Sequence, residues 1–188
     1  MIRVNSLRAD PTGWIGASLM IGFAAVAGYR WQTTGLLFFA LTMFRDVLAA
    51  GFLLTRRPSV GAKVTGTRGR GLAMLAYVSS AIPLFYFGPV GEVSPGLRLA
   101  SDFLIIGGYA LATLALIELG RSFGVSPANR GWVASGVYRW TSHPMYVGYA
   151  MAELGLVFLN QWNAGIFVIS SGLYFFRATV ELRVFRTT

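Results

Sequence analysis

Apolar residues in this chain come in continuous runs rather than in alternation. The runs cover residues 14–29, 34–54, 71–90, 97–119, 145–159 and 164–176, with polar or glycine-rich stretches between them. Several approach the ~20 residues that an α-helix needs to cross a bilayer. A transmembrane barrel would instead alternate apolar and polar positions. The pattern predicts an all-α integral membrane protein with five to six transmembrane segments. The last two runs are short and are divided by Asn160-Gln161-Trp162-Asn163, which predicts a C-terminal helical hairpin.

Interruptions inside the runs add detail. Pro83 lies within the third run and predicts a kink, which a membrane helix tolerates. Gly107 and Gly108 in the fourth run allow another helix to pack closely. Asp102 and Glu118 sit near the ends of that run, where their side chains can reach water. Arg45 and Asp46 fall near the middle of the second run, where charges are expensive and face partners. Neighbouring positions point about 100° apart on a helix, so the two need not pair with each other. A buried polar lock between helices is expected there rather than a catalytic role. Ala25-Val26-Ala27 resembles a signal-peptide cleavage site. Membrane-like runs continue after it, so a retained first helix is expected.

Composition agrees with this reading. Hydrophobic residues make up 55% of the 188 and charged residues 12%, against about a quarter charged in soluble domains. The formal net charge of +9 would suggest nucleic acid in a soluble protein. Here the basic residues lie between apolar runs, so orientation and lipid headgroups account for them and no nucleic-acid partner is expected. They concentrate at Arg3 and Arg8, in the 55–70 loop (Arg56, Arg57, Lys63, Arg68, Arg70), in the 120–142 loop (Arg121, Arg130, Arg139) and near the C-terminus. The connections near 30, 92 and 161 carry few. By the positive-inside rule both termini are cytoplasmic, and His143 and Glu181 share that side. The 55–70 loop has no phosphate-cradling spacing. Residues 1–188 read as one polytopic domain, with helices over 1–118 and a loop, hairpin and terminal segment over 119–188.

With no cysteine and one histidine, disulfides, thiolate chemistry and a multi-histidine metal site within the chain are excluded. No metal is expected. What chemistry remains centres on 136–149, which holds the one histidine. Pro144 should open a helix at its first position, with His143 extended before it. An imidazole, the phenol of Tyr146 and free backbone N–H groups would then meet at a helix N-terminus, where anionic groups are favoured. The plain alternative is an interfacial helix start with Tyr146 as a belt residue. Arg177 and Glu181 are one helical turn apart; they read either as an ion pair anchoring the helix end or as part of a site. Glu153, seven residues after Tyr146, either lines a pocket or is a buried, hydrogen-bonded carboxyl. Tyr174, Phe175 and Phe176 read as lipid-facing packing.

The string Gly136, Tyr138, His143, Pro144, Tyr146, Gly148, followed by a hairpin and Arg177-x-x-x-Glu181, resembles the isoprenylcysteine carboxyl methyltransferase family and its prokaryotic relatives. That family has G-x-Y-x-x-x-R-H-P-x-Y-x-G, a hairpin and a terminal glutamate pair. Residues 119–131 resemble its prokaryotic branch, and the likeness covers 119–186. It implies S-adenosylmethionine as methyl donor, leaving S-adenosylhomocysteine, and a cytoplasm-facing cofactor pocket in a multi-pass protein of a prokaryotic inner membrane. It also implies a hydrophobic or prenylated acceptor, with carboxyl O-methylation of an isoprenylcysteine-like substrate as the reaction. Carried across, Tyr138, Ser142, His143, Pro144, Met145, Tyr146, Gly148 and Glu181 fall on the cofactor-binding motif. Arg177 and Glu181 take the catalytic positions, and Arg177 with Glu153 the acceptor side. Ser142 replaces the family's arginine and Leu182 its second glutamate, which bears on the substrate more than on the cofactor.

Two other classes stay open. Sterol-type reductases use NADPH and a related His-Pro-x-Tyr pattern, but with asparagine and glutamate where this chain has Met145 and Tyr149. A non-catalytic scaffold or transport protein would suit Arg45 and Asp46.

Overall fold

The structure, a computed structural model, describes residues 11–57, 66–124 and 133–186. Arg3, Arg8, Lys63 and Arg130, with part of 119–131, lie outside the described residues, as do the side chains of Arg68 and Arg70. Among the described residues six α-helices follow one another: α1 (Pro11–Thr34), α2 (Leu37–Thr55), α3 (Gly66–Ala81), α4 (Pro95–Leu119), α5 (Pro144–Leu159) and α6 (Asn163–Arg186). Among the described residues there is no strand. Thr12–Thr34, Leu37–Thr55, Pro95–Ser122 and Asn163–Leu182 are long and apolar enough to cross a membrane, while Gly71–Phe85 and Pro144–Leu159 are apolar but shorter. The chain is an all-α membrane protein. Its outward faces carry large apolar side chains, Phe103 and Phe175 at 74% exposure among them, as suits lipid contact.

Two helix pairs make the frame. Between α1 and α2 the chain turns at Gly35, whose φ of +67° few other residues adopt. Residues 25–27 lie inside α1, and Ala27 is fully buried. The second pair is α4 with α5. Here Gly148 and Gly155 let the two backbones approach, and the Ser101 hydroxyl donates to the Gly155 carbonyl at 2.7 Å. Gly108 faces Gly148 in this seam, whereas Gly107 faces open space. Only one of the two adjacent glycines is therefore needed for the close approach.

Pro83 does more than kink its helix. α3 stops at Ala81, tightens into a 3-10 turn over Ile82–Phe85, and the chain is extended from Tyr86. A proline ring clashes with the carbonyl four residues back and offers no N–H. The extended strip is then held by side chains. Asn163 accepts from the Phe87 N–H at 2.8 Å and donates to the Phe87 carbonyl at 3.0 Å. Asn160 donates to the Gly88 carbonyl at 2.8 Å, and Arg30 to those of Leu84 and Tyr86 at 2.8 and 2.6 Å. The polar break of the C-terminal hairpin thus fastens α5–α6 to the rest of the bundle.

Arg45 and Asp46 do pair. Both are buried, and the guanidinium donates from Nε at 2.9 Å and from a terminal nitrogen at 2.6 Å to one carboxylate oxygen. The long arginine arm folds back across the 100° between neighbours. At this depth two lone charges would cost far more than one bent side chain. The same guanidinium lies 4.9 Å from the ring centre of Tyr149 on α5, so the pair also links α2 to the C-terminal half.

Candidate functional site

Helix α5 begins at Pro144, with His143 as its cap residue at φ −137° and ψ 57°. The φ is extended but the ψ is not, because the His143 carbonyl turns inward to accept the N–H groups of Tyr146 at 3.1 Å and Val147 at 3.3 Å. Those two donors are therefore spent inside the turn. They are not the free anion-binding groups that the helix start implied. Side chains gather at the same end.

Those side chains come from three helices. On α5 the rings of His143 and Tyr146 stack at 5.5 Å and 15°. From α6, Glu181 bridges the two with its carboxylate oxygens. The Tyr146 hydroxyl donates to Glu181 Oε1 at 2.5 Å, and His143 Nδ1 lies 3.5 Å from Glu181 Oε2. One turn deeper on α6, the Arg177 guanidinium sits 5.1 Å from the Tyr146 ring centre and donates to the Ser79 hydroxyl of α3 at 2.8 Å. Tyr174, one turn deeper again, also stacks on Tyr146, at 5.6 Å and 4°. His143, Tyr146 and Tyr174 so form a column of near-parallel rings, with a carboxylate at its outer end.

Electrostatics follow from partial burial. His143 titrates below the ordinary histidine value because burial disfavours its charged form, against the upward pull of Glu181. Burial pushes the Tyr138 phenol well up, and Tyr149 and Glu181 add to that. Among the described residues, His143 Nε2 is buried without a hydrogen-bond partner. The site thus holds a neutral imidazole beside a carboxylate, with one ring nitrogen available to a ligand. The histidine signal of selectively labelled protein in an NMR titration should have its midpoint below the free value. Replacing Glu181 with glutamine should lower it further. The sign for stability follows: the neutral form is favoured in the fold, so this contribution is present above about pH 6.5 and is lost as pH falls through the lowered value.

The sequence-expected residues divide into groups. Tyr138, His143, Tyr146, Arg177 and Glu181 converge. Pro144 and Met145 are buried behind them, Met145 in an apolar cluster with Ala112, Leu116 and Val137. Gly148 lies in the α4–α5 seam. Ser142 is exposed and Leu182 half-buried. Glu153 lies two turns deeper, where the hydroxyls of Tyr86 and Ser170 bond Oε2 and that of Tyr174 bonds Oε1 at 2.6 Å. Tyr174 is buried, unlike Phe175 and Phe176, which are exposed. Its grouping with them as lipid-facing packing is therefore corrected.

Other contributors carry no motif. Glu118 accepts the Val137 N–H at 3.1 and 3.0 Å, one distance per oxygen, and so anchors the 3-10 turn Gly136–Arg139 that presents Tyr138. The conformation of Gly136, at φ +51°, sets the start of that turn. Ser79 and Tyr149 hold Arg177 and Arg45 respectively through contacts between distant helices.

Residues 101–184 match the model of the isoprenylcysteine carboxyl methyltransferase (ICMT) family. The match takes in α4 from Ser101 onward, α5, the loop between them and α6 as far as residue 184, so it contains the whole convergence apart from Ser79 and Arg45. No curated protein and no solved structure matches the chain.

Proposed function

From the premise of an ICMT-family domain over residues 101–184, which supports a membrane methyltransferase, we propose that this chain transfers a methyl group from S-adenosylmethionine to a lipid-borne or otherwise hydrophobic acceptor. The acceptor group that fits best is the carboxylate of an isoprenylcysteine-like molecule. The observation that carries the reading is the set of contacts of Glu181 with His143 and Tyr146 at one end of the α5–α6 hairpin.

The residues fit this donor. Glu181 offers a carboxylate to its ammonium group, a charge-assisted pair. The ring faces of His143 and Tyr146 suit a cation or a flat heterocycle. Orphaned His143 Nε2 supplies a further hydrogen-bonding atom, and Tyr138 lines the approach. Pro144, Met145 and Gly148 hold the start of α5 in place from behind. When bound, S-adenosylmethionine supplies an electrophilic methyl group on a sulfonium.

The chain's own task is then positioning. An acceptor carboxylate is already a nucleophile, so no residue need remove a proton, and a neutral His143 is no obstacle. Arg177, held by Ser79 and stacked over Tyr146, orients that carboxylate. Bringing donor and acceptor together in line lowers the barrier without covalent catalysis. The domain divides into N-terminal helices over 1–118 that shape the route for the acceptor from the bilayer, and 119–188 that carries the donor site. The site faces the cytoplasm, with both termini on that side of a prokaryotic inner membrane.

Incubation of purified protein with methyl-labelled S-adenosylmethionine and a farnesylated cysteine acceptor tests this. Carboxyl methylation predicts label in the acceptor that base releases as volatile methanol. Label that resists base would mean transfer to nitrogen or sulfur, and no transfer to any lipid acceptor would remove the reading.

A further inference from the structure

Glu153 is 1% exposed and lies in the apolar interior of α5. A carboxyl there is costly unless its oxygens are bonded. Its three hydroxyl partners come from two different places, Tyr86 on the extended strip and Ser170 and Tyr174 on α6. A hydrocarbon side chain would fill the space without this cost. What the carboxyl adds is direction. It fixes where the Tyr174 hydroxyl points, and therefore how the Tyr174 ring lies. That ring stacks on Tyr146 at 5.6 Å, and the Tyr146 hydroxyl holds Glu181 at 2.5 Å. An unbroken run of contacts leads from the buried carboxyl to the outer one.

We propose that Glu153 and Tyr174 are positioning residues, which set Glu181 beside His143 by holding the Tyr146 ring from membrane depth. Ser170, Tyr174 and Glu181 share one face of α6, so the Glu153 bonds also lock the register of α6 against α5. In this role both act through Tyr146 rather than on the donor or acceptor. Their part in methyl transfer rests on the reading of Glu181 as the donor contact, but their effect on Glu181 does not.

The test uses the protein without donor first. Its one histidine gives a single labelled imidazole signal, and Glu181 is the charge that raises its titration midpoint. Tyr174→Phe keeps the ring and deletes the hydroxyl. Tyr86→Phe deletes another hydroxyl from the same carboxylate but leaves the ring column untouched. Tyr174→Phe and Glu153→Gln should lower the midpoint in the direction of Glu181→Gln, and Tyr86→Phe should leave it at the wild-type value. S-adenosylhomocysteine affinity should fall about fivefold in Tyr174→Phe, the size of one lost hydrogen bond. Should Glu153→Gln fail to fold, Tyr174→Phe alone decides. A wild-type midpoint in folded Tyr174→Phe, or an equal shift in Tyr86→Phe, overturns the proposal. Shifted midpoints in a protein that binds no S-adenosylhomocysteine would keep the positioning role and remove the donor reading. Unshifted midpoints with intact binding would do the reverse.

Discussion

Glu181→Ala should lose S-adenosylmethionine affinity by on the order of 100-fold, the upper end for a charge-assisted bond left unmade in a partly enclosed site. The substitution removes the carboxylate that both the Tyr146 hydroxyl and His143 face. It also strands that hydroxyl, which is a second cost. Tyr146→Phe should be milder, about fivefold, because the ring column and the carboxylate both stay. Glu92, exposed in the turn before α4, serves as the control: its alanine variant should bind as wild type. Isothermal titration on the three variants measures this directly. Wild-type affinity in Glu181→Ala would remove the carboxylate from the site.

A large effect on the fold should come from Gly148→Ala. A Cβ there would stand 2.5 Å from the Gly108 carbonyl oxygen and 2.7 Å from the Ala112 nitrogen. Both are backbone atoms of α4, so no side chain can swing aside. The helices must separate, and the Ser101–Gly155 bond and the neighbouring contacts go with them. Overpacking costs about 1–3 kcal/mol where a core can adjust; a backbone-on-backbone clash belongs at or above the top of that range. Gly107→Ala is the matched comparison, since a Cβ there meets nothing within 4 Å. Thermal unfolding followed by size-exclusion chromatography in detergent should show a large drop for Gly148→Ala and none for Gly107→Ala. Equal melting of the two would mean that the seam is not as tight as described.

The architecture is largely legible in the linear pattern, and the reasons are physical. A bilayer forces backbone hydrogen bonds to close within each span, so continuous apolar runs translate into helices with little ambiguity. The His143-Pro144 start of α5 and the polar break at 160–163 are equally local, since proline geometry and unsatisfied polar groups act within a few residues. Pro83 was legible as a disturbance but not as a helix end. That outcome depends on Asn163, Asn160 and Arg30, distant residues that satisfy the freed backbone. The Arg45–Asp46 pair shows the same limit. Helix periodicity points the two apart, yet the low dielectric around them makes the bent side chain the cheaper solution.

The site follows this division. Tyr146 and Glu181 stand 35 residues apart and meet because the hairpin folds back, which the order of the runs already implied. Tyr174 was hidden among aromatic neighbours, since a stretch of three aromatic residues does not say which one faces inward. Its hydroxyl and the buried Glu153 become intelligible together, as donor and acceptor across α5 and α6. Glu118 likewise gains its role only once the 3-10 turn lies beside it.

The central claim is that the His143, Tyr146 and Glu181 end of the hairpin takes S-adenosylmethionine. Calorimetric titration of S-adenosylhomocysteine into monodisperse, detergent-purified protein tests it most directly, with NADPH titrated in parallel. The account predicts saturable one-to-one binding of S-adenosylhomocysteine and no heat from NADPH. Saturable NADPH binding with none for S-adenosylhomocysteine, in a sample that melts cooperatively, would contradict it and make the site that of a reductase.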